Sequence, residues 1–224
     1  MQVGNARYLT DKDLPGTIAV FPLSGVLLLP GGQLPLNIYE PRYIAMIDDV
    51  LRGNRLIGII QPEFSEMRES PPGSVALCQV GCIGRLTSFA ETGDGRYMLT
   101  LTGVCRFRLL DELSTITPYR QFRIAPFLGD VAAGEDDSNV DRDALLSAFK
   151  AYLDANQLEA DWESVRRASN MTLVNALSMM APFGPPEKQA LLEAPDLKTR
   201  AETLVAITEI ALARDFSDTG TTLQ

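Results

Sequence analysis

Residues 18–53 run IAVFPLSGVLLLPGGQLPLNIYEPRYIAMIDDVLRG, and the spacing of proline and glycine in that run limits the fold more than any other feature. Three apolar stretches, 17–21, 26–29 and 34–39, have strand length, and Pro22, Pro30 and Pro35 stand at or near their ends. Proline cannot donate to a sheet ladder, so it marks the ends and edges of strands. The apolar stretch Ile18–Leu29 is interrupted by Pro22, Ser24 and Gly25 and falls short of the roughly 20 residues a membrane helix needs. The pattern then changes period. Tyr43, Ile44, Ile47, Val50 and Leu51 recur at helical spacing, Pro41 suits a first helical position and Gly53 a C-terminal cap, so a helix is expected over 41–52.

Further strands follow. Leu56–Ile60 is a continuous apolar run, as expected of a central strand. Residues 62–74 are polar and proline-rich and read as a mobile surface loop able to gate a neighbouring patch. Val75–Phe89 reads as one long strand or two, with bends at Gly81 and Gly84. Thr92-Gly93-Asp94-Gly95 has the composition of a hairpin turn. Tyr97, Leu99 and Leu101 alternate with Met98, Thr100 and Thr102, and Cys105, Phe107 and Leu109 alternate with Arg106 and Arg108. That is the period of a half-buried antiparallel strand. With Tyr119–Phe127 as a last strand, the pattern describes a small, partly closed barrel. Residues 1–16 read as a loose lead-in.

Near residue 129 the composition shifts to small and acidic, and beyond it helices are expected over 141–155, 162–180, 187–194 and from Asp196 to about Asp215. The domain organisation expected is therefore a β-barrel subdomain over 1–128, an acidic linker over 129–140 and an α-helical bundle subdomain over 141–215. The net charge of −9 is uneven: residues 1–130 sum to −1 and residues 131–224 to −8. An acidic surface repels phosphate backbones, which makes nucleic acid an unfavoured partner. Asp11, Lys12 and Asp13 sit where a signal peptide would carry its apolar core, so a cytoplasmic setting without membrane association is expected.

The chain has no histidine. That removes Ser-His-Asp triads, Cys-His pairs, histidine metal sites and a histidine general base. Cys78, Cys82 and Cys105 lack the fourth ligand of a zinc site and read as reduced, half-buried small hydrophobes. No cofactor or metal is expected. Ser147 and Lys150 spell Ser-x-x-Lys, which leaves a hydrolase as an alternative, although the partner motifs of such enzymes are missing. Glu40, Arg42, Asp48 and Asp49 are conceivable acid–base groups, with a helix start the simpler role for Glu40. Trp162 reads as a packing residue at a helix start.

Three blocks carry a family resemblance. The first is Phe21-Pro22-Leu23, Leu29-Pro30-Gly31, Leu34-Pro35-Leu36 and Ile38-Tyr39-Glu40-Pro41-Arg42-Tyr43. The second is Gly84-Arg85, Asp94-Gly95-Arg96, Leu99-Thr100-Leu101-Thr102-Gly103 and Arg106-Phe107-Arg108. The third is Leu177, Ala181-Pro182, Glu187-Lys188-Gln189-Ala190-Leu191-Leu192-Glu193 and Arg200. In this order they resemble the amino-terminal, substrate-binding domain of Lon proteases, which also occurs free-standing. The resemblance implies an α+β protein: a PUA-like antiparallel β pseudo-barrel with one or two helices, followed by a C-terminal α-helical bundle. It further implies a non-enzymatic module that binds unfolded or flexible polypeptide segments or a protein partner. A Lon motor needs a Gly-x-x-x-x-Gly-Lys-Ser/Thr phosphate loop. None of Lys12, Lys150, Lys188 and Lys198 follows a glycine, so ATP hydrolysis and Lon-type proteolysis are not expected of this chain. The residues expected to contact polypeptide are Leu36, Ile38, Tyr39, Glu40, Arg42 and Tyr43. Because PUA-like barrels elsewhere bind RNA, an RNA-binding module is a further alternative, with Arg85, Arg96, Arg106 and Arg108 as its basic patch.

Overall fold

A computed structural model of the chain describes residues 1–63, 75–132 and 139–220. Its contacts divide the chain into two compact units, Met1–Ala133 with Pro182–Leu192, and Gly134–Ala181 with Glu193–Gln224.

The first unit is built on strands β3 (Thr17–Pro22), β4 (Gln33–Ile38), β5 (Leu56–Ile60), β6 (Val80–Glu91), β7 (Tyr97–Glu112) and β8 (Gln121–Pro126). They lie in the order β4-β7-β6-β5-β3-β8, and β8 pairs again with β7. Five strands therefore close into a ring, and β4 hangs on the free first half of β7 through the register Gln33–Thr102 to Ile38–Tyr97. The length of β7 makes this possible, since one half serves β4 while the other reaches β8 at Phe107–Pro126. Register shifts at Ile83/Gly84 and Leu86/Ser88 bend the β6–β7 ladder, as closure of so small a barrel requires. The Asp94 turn joins β6 and β7, with positive φ at Gly93 and Gly95, a conformation that glycine adopts without steric cost.

The barrel is not wholly antiparallel. β3 and β5 run parallel, Val20 opposite Gly58, because the chain between them is long enough to cross over through β4 and helix α1 (Pro41–Arg52). β5 is buried along its whole length, as its unbroken apolar run requires. The interior is filled by Ile18, Val20, Ile60, Ile83, Cys105, Phe107, Phe122 and Ile124, among others.

Three expectations fail in this unit. Residues 26–29 form no strand. Leu27, Leu28 and Leu29 are all buried in this irregular segment. Leu28 instead packs over Gly84, and the turn that follows is hydrogen-bonded to β7, Gly31 N–H to Gly103 O and Gly103 N–H to Gly32 O, both 2.9 Å. A Cβ at Gly103 would fall inside the contact sphere of the Leu29 carbonyl oxygen, so only glycine permits this crossing. The loose lead-in is also corrected. β1 (Gln2–Val3) and β2 (Ala6–Arg7) pair, and Val3, Tyr8 and Leu14 join the core. Lastly, the start of the expected linker is packed: Leu128–Asp130 makes a 3-10 turn and Val131 is buried. Most of the expected loop, residues 64–74, and residues 133–138 of the linker lie outside the described residues.

Segment Pro182–Leu192, most of which is the helix α5 (Pro185–Glu193), belongs to the barrel unit, whereas the sequence reading grouped it with the later helices. Polar side chains hold it. Gln61, 1% exposed, donates to Pro185 O and Gln189 Oε1, and Gln189 donates to Val80 O.

The second unit contains α2 (Arg142–Ala155), α3 (Trp162–Arg167), α4 (Asn170–Met180) and α6 (Leu197–Gly220). The single helix expected over 162–180 is two. Ser169 accepts from Thr172 N–H and caps α4, which stops α3 one turn earlier. Asp141, Asp161 and Asp196 cap α2, α3 and α6 through their carboxylates. Arg142 ties α2 to the end of α3, donating to Val165 O and Arg166 O and to Asn170 Oδ1. Trp162 is half-buried and packs on Phe149, ring centroids 6.1 Å apart. Among the described residues no helix is long and apolar enough to cross a membrane.

Candidate functional site

The junction between β4 and α1 positions the expected contact residues, and it splits them. Pro41 starts α1 as N1, and Glu40 supplies the first helical carbonyl, accepting from Tyr43 and Ile44 N–H. The Glu40 side chain makes no cap and instead pairs with Arg42 at 2.8 Å. Ile38 is 2% exposed and belongs to the core, so it has no surface to offer a partner. Leu36 is half-buried on β4 and Tyr39 stands 65% exposed. Arg42 and Tyr43 point elsewhere, into a cleft of about 200 Å³.

That cleft is also lined by Val20, Pro22, Pro62, Val75, Leu77, Pro118, Tyr119 and Arg120. Its floor is apolar: Val20, Leu77 and Tyr43 are buried, and Tyr43 packs on Phe21 with centroids 4.1 Å apart. Proline forms much of its rim. The Arg42 guanidinium lies 4.5 Å over the Tyr43 ring, a favourable cation–π placement. Burial pushes the Tyr43 phenol up, against the opposing pull of Arg42.

The opposite wall is held by a hydrogen-bond frame. Tyr119 donates to Asp49 Oδ2 at 2.7 Å, and Tyr97 donates to Asp48 Oδ1 at 3.0 Å. The two aspartates of α1 are thus acceptors that fix the helix to the barrel, not an acid–base pair. Burial, with the Asp49 carboxylate added, pushes the Tyr119 phenol up to about 12, so it remains a donor at neutral pH. Arg120 grips Glu112 with two bonds of 2.7 Å and donates to Val75 O at 2.8 Å. Its hydrogen bonds hold the Glu112 carboxyl below the usual range. These bonds brace the cleft, an apolar slot of side-chain size with guanidinium groups at its edge. Nothing lining it pairs a nucleophile with a base.

The remaining sequence candidates do not assemble into sites. Ser147 and Lys150 are both exposed on α2, away from any burial that would activate them. The RNA-type basic patch is dispersed. Arg96 pairs with Asp94 at the hairpin, Arg108 is exposed, and Arg106 is buried. Arg106, expected on a solvated face, donates through Nε and Nη2 to Asp130 and through Nη1 to Leu192 O. It is a clamp joining β7, the 3-10 turn and α5. Cys78, Cys82 and Cys105 are buried thiols outside any disulfide among the described residues, and burial pushes Cys105 up to about 12. Sequence reasoning missed Tyr119 and Arg120 as site residues. The Pro118-Tyr119-Arg120 triplet just before β8 is the available signal, but its pairing with α1 is a tertiary fact.

Comparison with known proteins places the chain in a family. The model of the "ATP-dependent protease La (LON) substrate-binding domain" matches residues 17–209. A Lon protease 2 of Myxococcus xanthus is 28% identical over 208 residues, covering 89% of this chain and 24% of that protein. A Lon protease of Parabacteroides distasonis is 32% identical over 199 residues, covering 85% of this chain and 23% of that protein. The chain thus spans about a quarter of the length of these relatives. Among solved structures, a Lon N-terminal domain protein from Xanthomonas campestris superposes with a TM-score of 0.61 at 20% identity, over 85% of this chain and 97% of that one. The N-terminal domain of a Mycobacterium avium complex Lon protease gives 0.62 at 17%, over 86% and 98%. These two likenesses are of fold.

Proposed function

The chain belongs to the family of LON substrate-binding domains, and from that premise we propose that it binds polypeptide without breaking bonds. Its barrel is PUA-like and its later helices form a bundle in this reading, and it works in the cytoplasm on unfolded or flexible segments. The observation that carries the proposal is the cleft between Tyr43 and Tyr119: apolar at its floor, rimmed by Pro22, Pro62 and Pro118, and braced from both sides. A large apolar side chain from a disordered partner enters it, while Arg42 and Arg120 meet main-chain carbonyls beside it. Tyr39 and Leu36 supply a second, outlying contact.

The energetics set the mode of binding. Burying one Leu or Phe side chain contributes about 1.5–3 kcal/mol. Association costs about 4–15 kcal/mol in lost translational and rotational freedom. One cleft therefore binds weakly, and useful affinity comes from several contacts along one chain or several copies of the module. Weak, sequence-tolerant capture suits a selector of unfolded segments.

The test is a fluorescence-anisotropy titration with a labelled, uncharged peptide of Leu, Phe, Ser and Gln. Pro118 is exposed and Val75 half-buried at the rim. Pro118→Asp and Val75→Asp should each weaken binding by about tenfold, the loss of one buried apolar contact. Undiminished binding by both folded variants would remove the cleft from the mechanism.

A further inference from the structure

The barrel unit holds a second cleft, of about 480 Å³, lined by residues of the first sixteen positions, the α1–β5 turn and β6. Its distinguishing feature is unspent positive charge. Six arginines of this unit, Arg42, Arg52, Arg96, Arg106, Arg120 and Arg123, are ion-paired. Of the described cations of this unit that lack a carboxylate partner, Arg7, Lys12, Arg55 and Arg85 line this one cleft, while Arg108 and Lys188 lie outside its lining. Among the described residues Arg85 donates only to neutral oxygens, Tyr8 Oη and Asn54 O, both at 3.1 Å. The single lining carboxylate, Asp13, is already engaged by Leu9 N–H, Thr10 N–H and the Thr10 hydroxyl. In a chain of net charge −9, a cleft that sets four cations against one carboxylate is an exception.

Arg55 adds a second observation. Its backbone is left-handed, φ 63°, a conformation that glycine or asparagine adopts with less strain at a helix end. Hydrogen bonds on both sides, its own N–H to Val50 O and its carbonyl from Leu86 N–H, hold it there. The chain has a long cationic side chain at a position where the backbone favours a small residue.

We infer that this cleft binds an acidic polypeptide segment. Guanidinium groups pair carboxylates through two parallel bonds. The cations are spread along an open cleft, which suits a run of Asp and Glu. Nucleic acid fits less well: Tyr8, the one aromatic residue lining the cleft, is 3% exposed and gives no platform for base stacking. The inference rests on the polypeptide-binding reading and deepens it, adding a charge-selective contact to the apolar one.

Fluorescein-labelled octaglutamate titrated into the full chain at about 50 mM salt tests it, since screening is weak there. Binding is expected, and it should weaken about tenfold in Lys12→Glu and measurably in Arg55→Gly. Arg55→Gly also relieves the left-handed strain, so its melting temperature should hold or rise and misfolding cannot account for the loss. Three results overturn the inference: no octaglutamate binding, equal binding by both variants, or tighter binding of octauridylate than of octaglutamate. The uncharged peptide titrated in parallel separates the failures. If it still binds, only the acidic site falls; if it fails too, the polypeptide reading falls with it.

Discussion

Replacing Arg106 by methionine should unfold the barrel unit more readily than any loss of apolar volume at that site would. The Arg106 and Asp130 side chains are each 4% exposed. Methionine removes the 2.9 Å and 2.8 Å bonds to the Asp130 carboxylate and the 3.1 Å bond to Leu192 O. Asp130 then stays buried with the Arg106 backbone N–H still donating at 2.8 Å. A buried charge deprived of its counter-ion costs about 3–5 kcal/mol. Against a typical total of about 5–15 kcal/mol, that is a large share. The double variant Arg106→Met/Asp130→Leu removes both charges and should recover most of the loss. The Leu192 carbonyl, still without its donor, would keep about 1 kcal/mol of it. Urea denaturation followed by circular dichroism, with the m-value held in view, measures all three proteins. A single variant within about 1 kcal/mol of the parent, or a double variant as unstable as the single, would refute the clamp.

Three other perturbations address separate parts of the fold. Gly103→Ala places a Cβ against the Leu29 backbone and should cost about 3 kcal/mol or more, since the obstacle is main chain and cannot rotate away; a thermal melt within a few degrees of the parent would contradict the crossing. Gln189→Ala removes the donor to Val80 O and one of the two acceptors of Gln61 Nε2, which keeps Pro185 O, and should cost about 1–3 kcal/mol by denaturant titration. For Tyr119, the folded-state value of about 12 lies above the ordinary tyrosine value. Its contribution is therefore complete below about pH 10 and is lost as pH rises toward 12. The stability gap between the parent and Tyr119→Phe, about 1 kcal/mol after allowance for solvent screening, should close across that window; a gap that is constant with pH would show that the Asp49 bond is not formed.

Local punctuation was legible and tertiary partnership was not. Helix α1 runs from Pro41 to Arg52 as its proline and glycine signals indicate, and the Thr92–Gly95 hairpin and the alternation in β7 follow from residue period alone. Leu27–Leu29 misled because a short apolar run has the same composition in a buried strand and in an irregular core plug. Arg106 misled because period-2 alternation assigns a face, while only the arrival of Asp130 and α5 makes that face interior. The helix expected over 162–180 hid Ser169, whose capping role depends on the backbone turning at Ala168. Arg42 and Tyr43, expected from the Glu40-Pro41-Arg42-Tyr43 junction, line the candidate cleft. Ile38 misled because it shares a strand face with Leu36, and only tertiary packing buries the one and leaves the other half-buried. Tyr119 and Arg120 reach the same cleft from some seventy residues away, and no local pattern announces that.

The central claim is that the Tyr43–Tyr119 cleft receives side chains from unfolded polypeptide, and a photo-reactive amino acid at position 118 reports on it most directly. Position 118 is exposed on the cleft rim, whereas Met180, 81% exposed on α4, provides an exposed control outside the cleft lining. On irradiation with the uncharged peptide, crosslinks should form from position 118 through the peptide's Leu or Phe residues and be near background from position 180. Equal yields from the two positions, or crosslinking at 118 that ignores the peptide's apolar residues, would contradict the account.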